Sequence, residues 1–166
     1  MATLVNTPIT AELRWDLAGR DALPLVRSLF GNDVERLAPF QSLNTTLEGE
    51  PCALLRLCDR NFRVACGVPL DQHIQPGSGV WARQLPWLRA IVLPDAVFPA
   101  LAARATVRPP HRLDLPCNAA VPAHLAGVPL LLWRRGSDPP QLDLHLAEPN
   151  VAHLQPLLDS LMMGDR

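Results

Sequence analysis

The sequence predicts an α+β fold: a mainly antiparallel sheet of about six to seven strands, with three to four helices packed on one face. Three observations carry that expectation. Strand-like runs follow one another through short turns without crossover helices, which disfavours a parallel sheet. Helical spacing is confined to stretches near the start, past the middle and at the end. The 166 residues, 48% of them hydrophobic, suffice to bury a core without metal or disulfide, so a single domain spanning 1–166 is expected.

The elements follow in order. "AELRWDL" alternates Leu13, Trp15 and Leu17 against Glu12, Arg14 and Asp16, the period of a half-buried strand, and Gly19 closes it. From Asp21, Leu25, Val26, Leu29 and Phe30 fall at helical spacing, with Pro24 in the first turn where its missing N–H is harmless. "GND" breaks that helix, and Asp33 is expected to cap a short second one through Leu37. Three strands are then expected in "SLNTTLEG", "CALLRLC" and "FRVACGV", the last two joined by the turn "DRN". The run "PLDQHIQPGSGVWARQLPWLRAIVLP" reads as an irregular excursion around one strand, "LRAIVL".

"PDAVFPALAARA" reads as a helix capped by Asp95, and "TVRPPHRLDLPCN" as extended chain. "VPLLLWRR" and "QLDLHLA", joined by "GSDPP", make a hairpin with Pro129 at a strand start or edge. Leu142, Leu144 and Leu146 point one way and Asp143 and His145 the other, so this arm is expected to keep a wet face. Asn150 is placed to cap a last helix carrying Val151, Leu154, Leu157, Leu158, Leu161 and Met162, which Pro156 would kink or restart.

Composition excludes several chemistries. All fifteen basic residues are arginine and tyrosine is absent, so Schiff-base formation, a lysine base and a tyrosine acid are impossible. Without lysine there is no P-loop, and no run fits GxGxxG or GxSxG. A net charge of −1 argues against a nucleic-acid partner. No apolar stretch is long enough to span a membrane, and the first residues lack the pattern of a secretory signal. The arginine, proline and alanine excess resembles GC-rich coding, which suggests a bacterium.

The cysteines show no CxxC spacing and are expected to be reduced thiols of a cytoplasmic protein. Cys58 and Cys66 lie across the central hairpin, where they could face each other. His73, His111, His124, His145 and His153 show no HxxxH spacing, though His145 and His153 could meet if the last helix folds back. No metal, cofactor or catalytic set is expected. Glu48 and Glu50 read as a solvated turn rather than an acid/base pair.

Trp81, Arg83, Trp87 and Arg89 on the irregular excursion are the most site-like residues, because indole and guanidinium groups on loops serve protein contacts and carboxylate binding. Arg134 and Arg135 are binding candidates of the same kind, or mark a strand leaving the core.

Two resemblances accompany this reading. "LRLCDRNFRV" and "LAGVPLLLW" resemble the central hairpin and closing strand of chorismate lyases, which implies a small α+β sheet with a carboxylate pocket. Where that family has a glutamate after the leucines this chain has Trp133, and no arginine precedes the central hairpin in the family's place. "LPDAVFPALAARA" and "PQLDLHLAEPNVAHLQPLLDSL" are similar in pattern to non-catalytic domains of assembly proteins from bacterial secretion and flagellar machines.

The function expected is a cytoplasmic bacterial binding or assembly module that engages a protein partner or self-associates. The alternative is a small enzyme or ligand-binding protein, with a pocket near Trp81–Arg89 that grips an anionic or aromatic carboxylate. Sequence leaves open whether the chain catalyses anything.

Overall fold

The computed structural model describes residues 12–164, and these divide after Leu85 into two compact units. Among the described residues the architecture is α+β, with two antiparallel sheets of five strands each and three α-helices. This replaces the expected single sheet of six to seven strands. The physical reason is that alternation identifies a strand but not the ladder it joins.

The first unit contains β1 (Leu13–Ala18), α1 (Ala22–Phe30), β2 (Ser42–Leu47), β3 (Glu50–Cys58), β4 (Asn61–Cys66) and β5 (Trp81–Gln84). Its sheet order is β2-β3-β4-β1-β5. Ala11, where the first strand pattern began, lies outside the described residues. The β2–β3 connection is two residues, Glu48 at φ 52° and Gly49 at φ 78°, the paired left-handed conformation that matches strand twist. Cys58 pairs with Asn61, so the β3–β4 turn is Asp59–Arg60, one residue shorter than expected, with a bulge between Arg56 and Cys58. Trp15, Leu17, Phe62, Val64 and Leu54 line one face of the sheet, and α1 covers it with Ala22 and Val26.

The helix α1 ends at Gly31, whose N–H donates to the Arg27 carbonyl. The short helix that follows is 3₁₀, Asn32–Arg36, with Asp33 inside it rather than at its cap. Asp21 likewise makes no side-chain cap. Its carboxylate instead accepts the Gly79 N–H at 3.0 Å, while its own N–H donates to the Gly79 carbonyl at 3.3 Å. That double clamp ties the end of the proline-rich excursion to the start of α1 and delivers β5 to the edge of β1.

The second unit contains β6 (Leu88–Pro94), α2 (Phe98–Ala102), β7 (Ala105–Thr106), β8 (Ala119–Leu125), β9 (Val128–Arg135), β10 (Gln141–Ala147) and α3 (Val151–Met163), with sheet order β6-β10-β9-β8-β7. Leu142, Leu144 and Leu146 of β10 pack with Val128, Leu130 and Leu132 of β9 on one face, beneath Phe98 and Leu101 of α2 and Leu154, Leu158 and Leu161 of α3. Each such fully buried leucine contributes about 1.5–3 kcal/mol. The last helix runs through Pro156 without ending. Neither Asp95 nor Asn150 caps a helix through its side chain.

Two prolines sit inside β8 and β9 without loss of the ladder. The two-residue turn Ala126–Gly127 makes Leu125 and Val128 the hydrogen-bonded pair, so residues 121, 123 and 125 bond to β9 and Pro122 faces the other side. There β7 reaches only Leu125 and His124. The same alternation turns the nitrogen of Pro129 toward β10, whose pairing with β9 stops at Leu131.

The expected wet face of β10 is not wet. Asp143 is 0% and His145 2% exposed, as are their neighbours Trp133 at 0% and Arg135 at 7%. Contacts among these groups offset part of the cost of burying them. Arg135 donates to Asp143 Oδ2 at 3.1 Å and lies 5.3 Å from the centroid of Trp133. Gln141 donates to Asp143 Oδ1 at 2.9 Å. His145 Nε2 lies 3.7 Å from Asp143 Oδ2, its ring edge-on to Trp133.

Candidate functional site

Strand β5 ends the first sheet, pairing with β1 alone in it. Its residues alternate, so Trp81 and Arg83 project from the same face. Trp81 is 53% exposed, and the Arg83 guanidinium carbon stands 5.9 Å from its ring centroid. Such a cation–π contact pre-orders two side chains that would otherwise lose rotamer freedom on binding. Arg83 also lies opposite Asp16 in the β1 ladder, and Asp16 accepts from Arg63 at 3.3 Å on its other flank. Trp81 itself lines an open hollow of about 390 Å³, together with Asp71, Ile74, Pro76, Val80 and Ala82.

Trp87 and Arg89 belong to the second unit. Trp87 is also 53% exposed, and its carbonyl accepts the Glu148 N–H at 2.9 Å. Arg89 donates to Glu148 Oε1 at 2.7 Å, both side chains about half exposed. Beside them a shallow groove of about 650 Å³ runs between β6 and α3, floored by Ala90, Ile91, Val151 and Ala152. The four residues grouped by sequence proximity are thus placed two on each unit.

Arg134 and Arg135 are held by carboxylates of the fold. Arg134 grips Asp95 through two bonds of 2.8 and 2.7 Å, donates to the Leu115 carbonyl, and stacks 4.4 Å from the Phe98 centroid. The hydrogen bonds from Arg134 hold the Asp95 carboxyl below its ordinary range, against a smaller opposing effect of burial. A carboxylate whose folded pKa is depressed adds stability that is full above its unfolded value, near 3.8, and is lost as pH falls through the folded value. Asp95→Asn is therefore expected to lower the unfolding free energy by about 1.5–3 kcal/mol at neutral pH. The gap from wild type should narrow below about pH 4, as urea titrations at both pH values would show.

The other candidates are dispersed. His145 is buried on the face opposite α3, whereas His153 is exposed on α3 with its Nε2 3.3 Å from the Ala126 carbonyl, so the two do not meet. Glu48 Oε1 lies 3.3 Å from His73 Nε2, and Glu50 is exposed. Among the described residues no three of His, Cys, Asp and Glu converge as a metal site. Cys66 faces Cys52, not Cys58. The buried Arg135–Asp143–His145 cluster went unread because alternating polar residues on a strand ordinarily signify solvent.

Comparison with known proteins adds the fold's relatives. No protein-family model and no curated protein matches the chain. Among solved structures it is similar to the glycine cleavage system aminomethyltransferase T from Bartonella henselae, with a TM-score of 0.67 and 16% identity over 93% of this chain and 44% of that one. It is also similar to a chain of heterotetrameric sarcosine oxidase from Corynebacterium sp. U-96, with a TM-score of 0.64 and 18% identity over 92% of this chain and 80% of that one. The likeness is one of fold. The chain spans less than half of the aminomethyltransferase but most of the sarcosine oxidase chain. No helix among the described residues is long and apolar enough to cross a membrane.

Proposed function

We propose that this chain is a non-catalytic binding or assembly module of a bacterial cytoplasm, working as one 166-residue domain that engages a protein partner. The observation that carries the reading is the half-exposed Trp81 stacked with Arg83 on an end strand, the residue pair most enriched at the energetic centres of protein interfaces. Trp87 and Arg89 extend the same contact chemistry. Support comes from the sarcosine oxidase, whose chains assemble as a heterotetramer and one of which is matched over four-fifths of its length. Four free thiols suit a reducing compartment.

The ligand-binding alternative draws on the same sarcosine oxidase, which holds pyrrole 2-carboxylate. In this chain Arg89 is already paired with Glu148, leaving Arg83 as the better-placed guanidinium. A thermal-shift titration with pyrrole 2-carboxylate separates the readings. Stabilisation that Arg83→Ala abolishes favours the ligand.

The partner reading is tested by isolating tagged protein from its own cells. Wild type is expected to retain a second polypeptide in fixed stoichiometry, and Trp81→Ala with Arg83→Glu to weaken that complex by about 30-fold or more while circular dichroism stays unchanged. A partner held equally by the double variant would move the contact elsewhere.

A further inference from the structure

We propose that Cys52 and Cys66 form a dithiol–disulfide pair, a modification site that a small hydroperoxide closes. Strand register places the two directly opposite each other on β3 and β4. Their rung is of the close kind. The two-residue turn makes Leu47 and Glu50 hydrogen-bonded partners, and Arg56 exchanges bonds with Phe40 and Gln41, so alternate β3 residues, Cys52 among them, direct their backbone groups toward β2. Cys52 and Cys66 are therefore a non-hydrogen-bonded pair across β3–β4, for which Cα atoms stand about 4.5 Å apart with side chains nearest. A disulfide spans roughly 4.4–6.8 Å between Cα atoms, so no strand need move far.

Cys52 Sγ donates to the Glu50 carbonyl at 3.6 Å and Cys66 Sγ to the Val68 carbonyl at 3.2 Å, and the neighbouring thiol lowers Cys66 below its ordinary value and raises Cys52, against the effect of burial on Cys66. The linkage formed is the same whichever sulfur attacks first; Cys66, the lowered thiol, takes the attacking role and Cys52 the resolving one. Both are buried, at 0% and 3% exposure, and each is also paired on its other side, Cys66 with Leu13 and Cys52 with Thr45, so a hydroperoxide reaches them only when the end of the β3–β4 ladder opens. Cys58 faces Asn61, and Cys117 lies outside any strand, so neither has a partner of this geometry.

The chemistry balances with a hydroperoxide as oxidant. The Cys66 thiolate attacks the outer peroxide oxygen, breaking the O–O bond to give a sulfenic acid and an alkoxide, which takes up a proton to leave as alcohol. Cys52 sulfur then attacks Cys66 sulfur, the S–O bond breaks, and hydroxide leaves with the Cys52 proton as water. Two thiols and one hydroperoxide become one disulfide, one alcohol and one water.

The test uses the full chain carrying Cys58→Ser and Cys117→Ser, two exposed positions, treated with hydrogen peroxide. The expected product has lost two hydrogens, shows no free thiol after denaturation, maps to a 52–66 linkage by non-reducing digestion, and reverts with dithiothreitol. Adding Cys52→Ala should divert Cys66 to the sulfinic acid. Persistence of both thiols, or sulfinic acid at Cys66 with Cys52 present, would overturn the proposal.

Discussion

Asp143→Ala is expected to lower the unfolding free energy by about 3–5 kcal/mol, the penalty for removing one partner of a buried ion pair. Asp143 is wholly buried and its two oxygens receive Arg135 and Gln141 at 3.1 and 2.9 Å. Without the carboxylate, the Arg135 guanidinium, 7% exposed beside Trp133, loses its hydrogen bond to Asp143 and cannot shed its charge. Urea unfolding followed by circular dichroism reads the change. Combining Arg135→Met with Asp143→Leu should recover most of the loss, because apolar groups of similar size need no partner. A loss below about 1 kcal/mol in the single variant would show that the charge finds water after all.

Gly19→Ala is the second large effect, at about 3 kcal/mol or more from left-handed strain and overpacking together. Gly19 sits at φ 136°, and a β-carbon there would stand 2.0 Å from the Gly79 carbonyl oxygen and 2.9 Å from its carbon. The obstacle is backbone, and Asp21 clamps it from both sides of the peptide. Gly31→Ala is the control: its φ is 95°, yet nothing lies within 4 Å of the added carbon, so only strain of about 1 kcal/mol is expected. Because β5 begins two residues after Gly79, Gly19→Ala should also make the 67–80 segment easier to cleave in limited proteolysis and weaken partner retention. A variant as stable as Gly31→Ala, with the segment still protected, would mean that the clamp yields.

Much of the local structure was legible because it rests on local rules. Alternation marked β1 and β2, and Pro24 and Gly31 bounded α1, while Glu48 and Gly49 read in the sequence as the solvated end of a strand and are the turn of a hairpin. What escaped was set by contacts between distant residues. Strand β8 was missed because Pro122 argues against a strand until one knows that β7 is too short to need its N–H. Asp21 and Asp95 have the side chains of helix caps, but Gly79 and Arg134 claim them first. In the sequence Cys58 and Cys66 read only as lying across one hairpin, whereas the register sets Cys58 beside the turn opposite Asn61 and Cys66 at the far end opposite Cys52.

The candidate site shows the same division. Trp81 and Arg83 were legible by residue type and by the irregular chain around them. That β5 is a true strand at a sheet's end, and that Trp87 and Arg89 belong to a different sheet, depends on pairings which residues nearby in sequence do not specify. Arg134 and Arg135 illustrate the reverse case. Adjacent arginines at a strand exit read equally well as a clamp for a ligand or as counter-ions, and only the position of Asp95 and Asp143 decides which carboxylates they hold.

The most direct test of partner engagement is the mass of the particle that tagged protein forms when isolated from its own cells, measured by light scattering on the size-exclusion peak. A mass well above the 18.2 kDa of the chain, with a second polypeptide in fixed ratio, is the predicted result. A lone 18.2 kDa species at every concentration would contradict it.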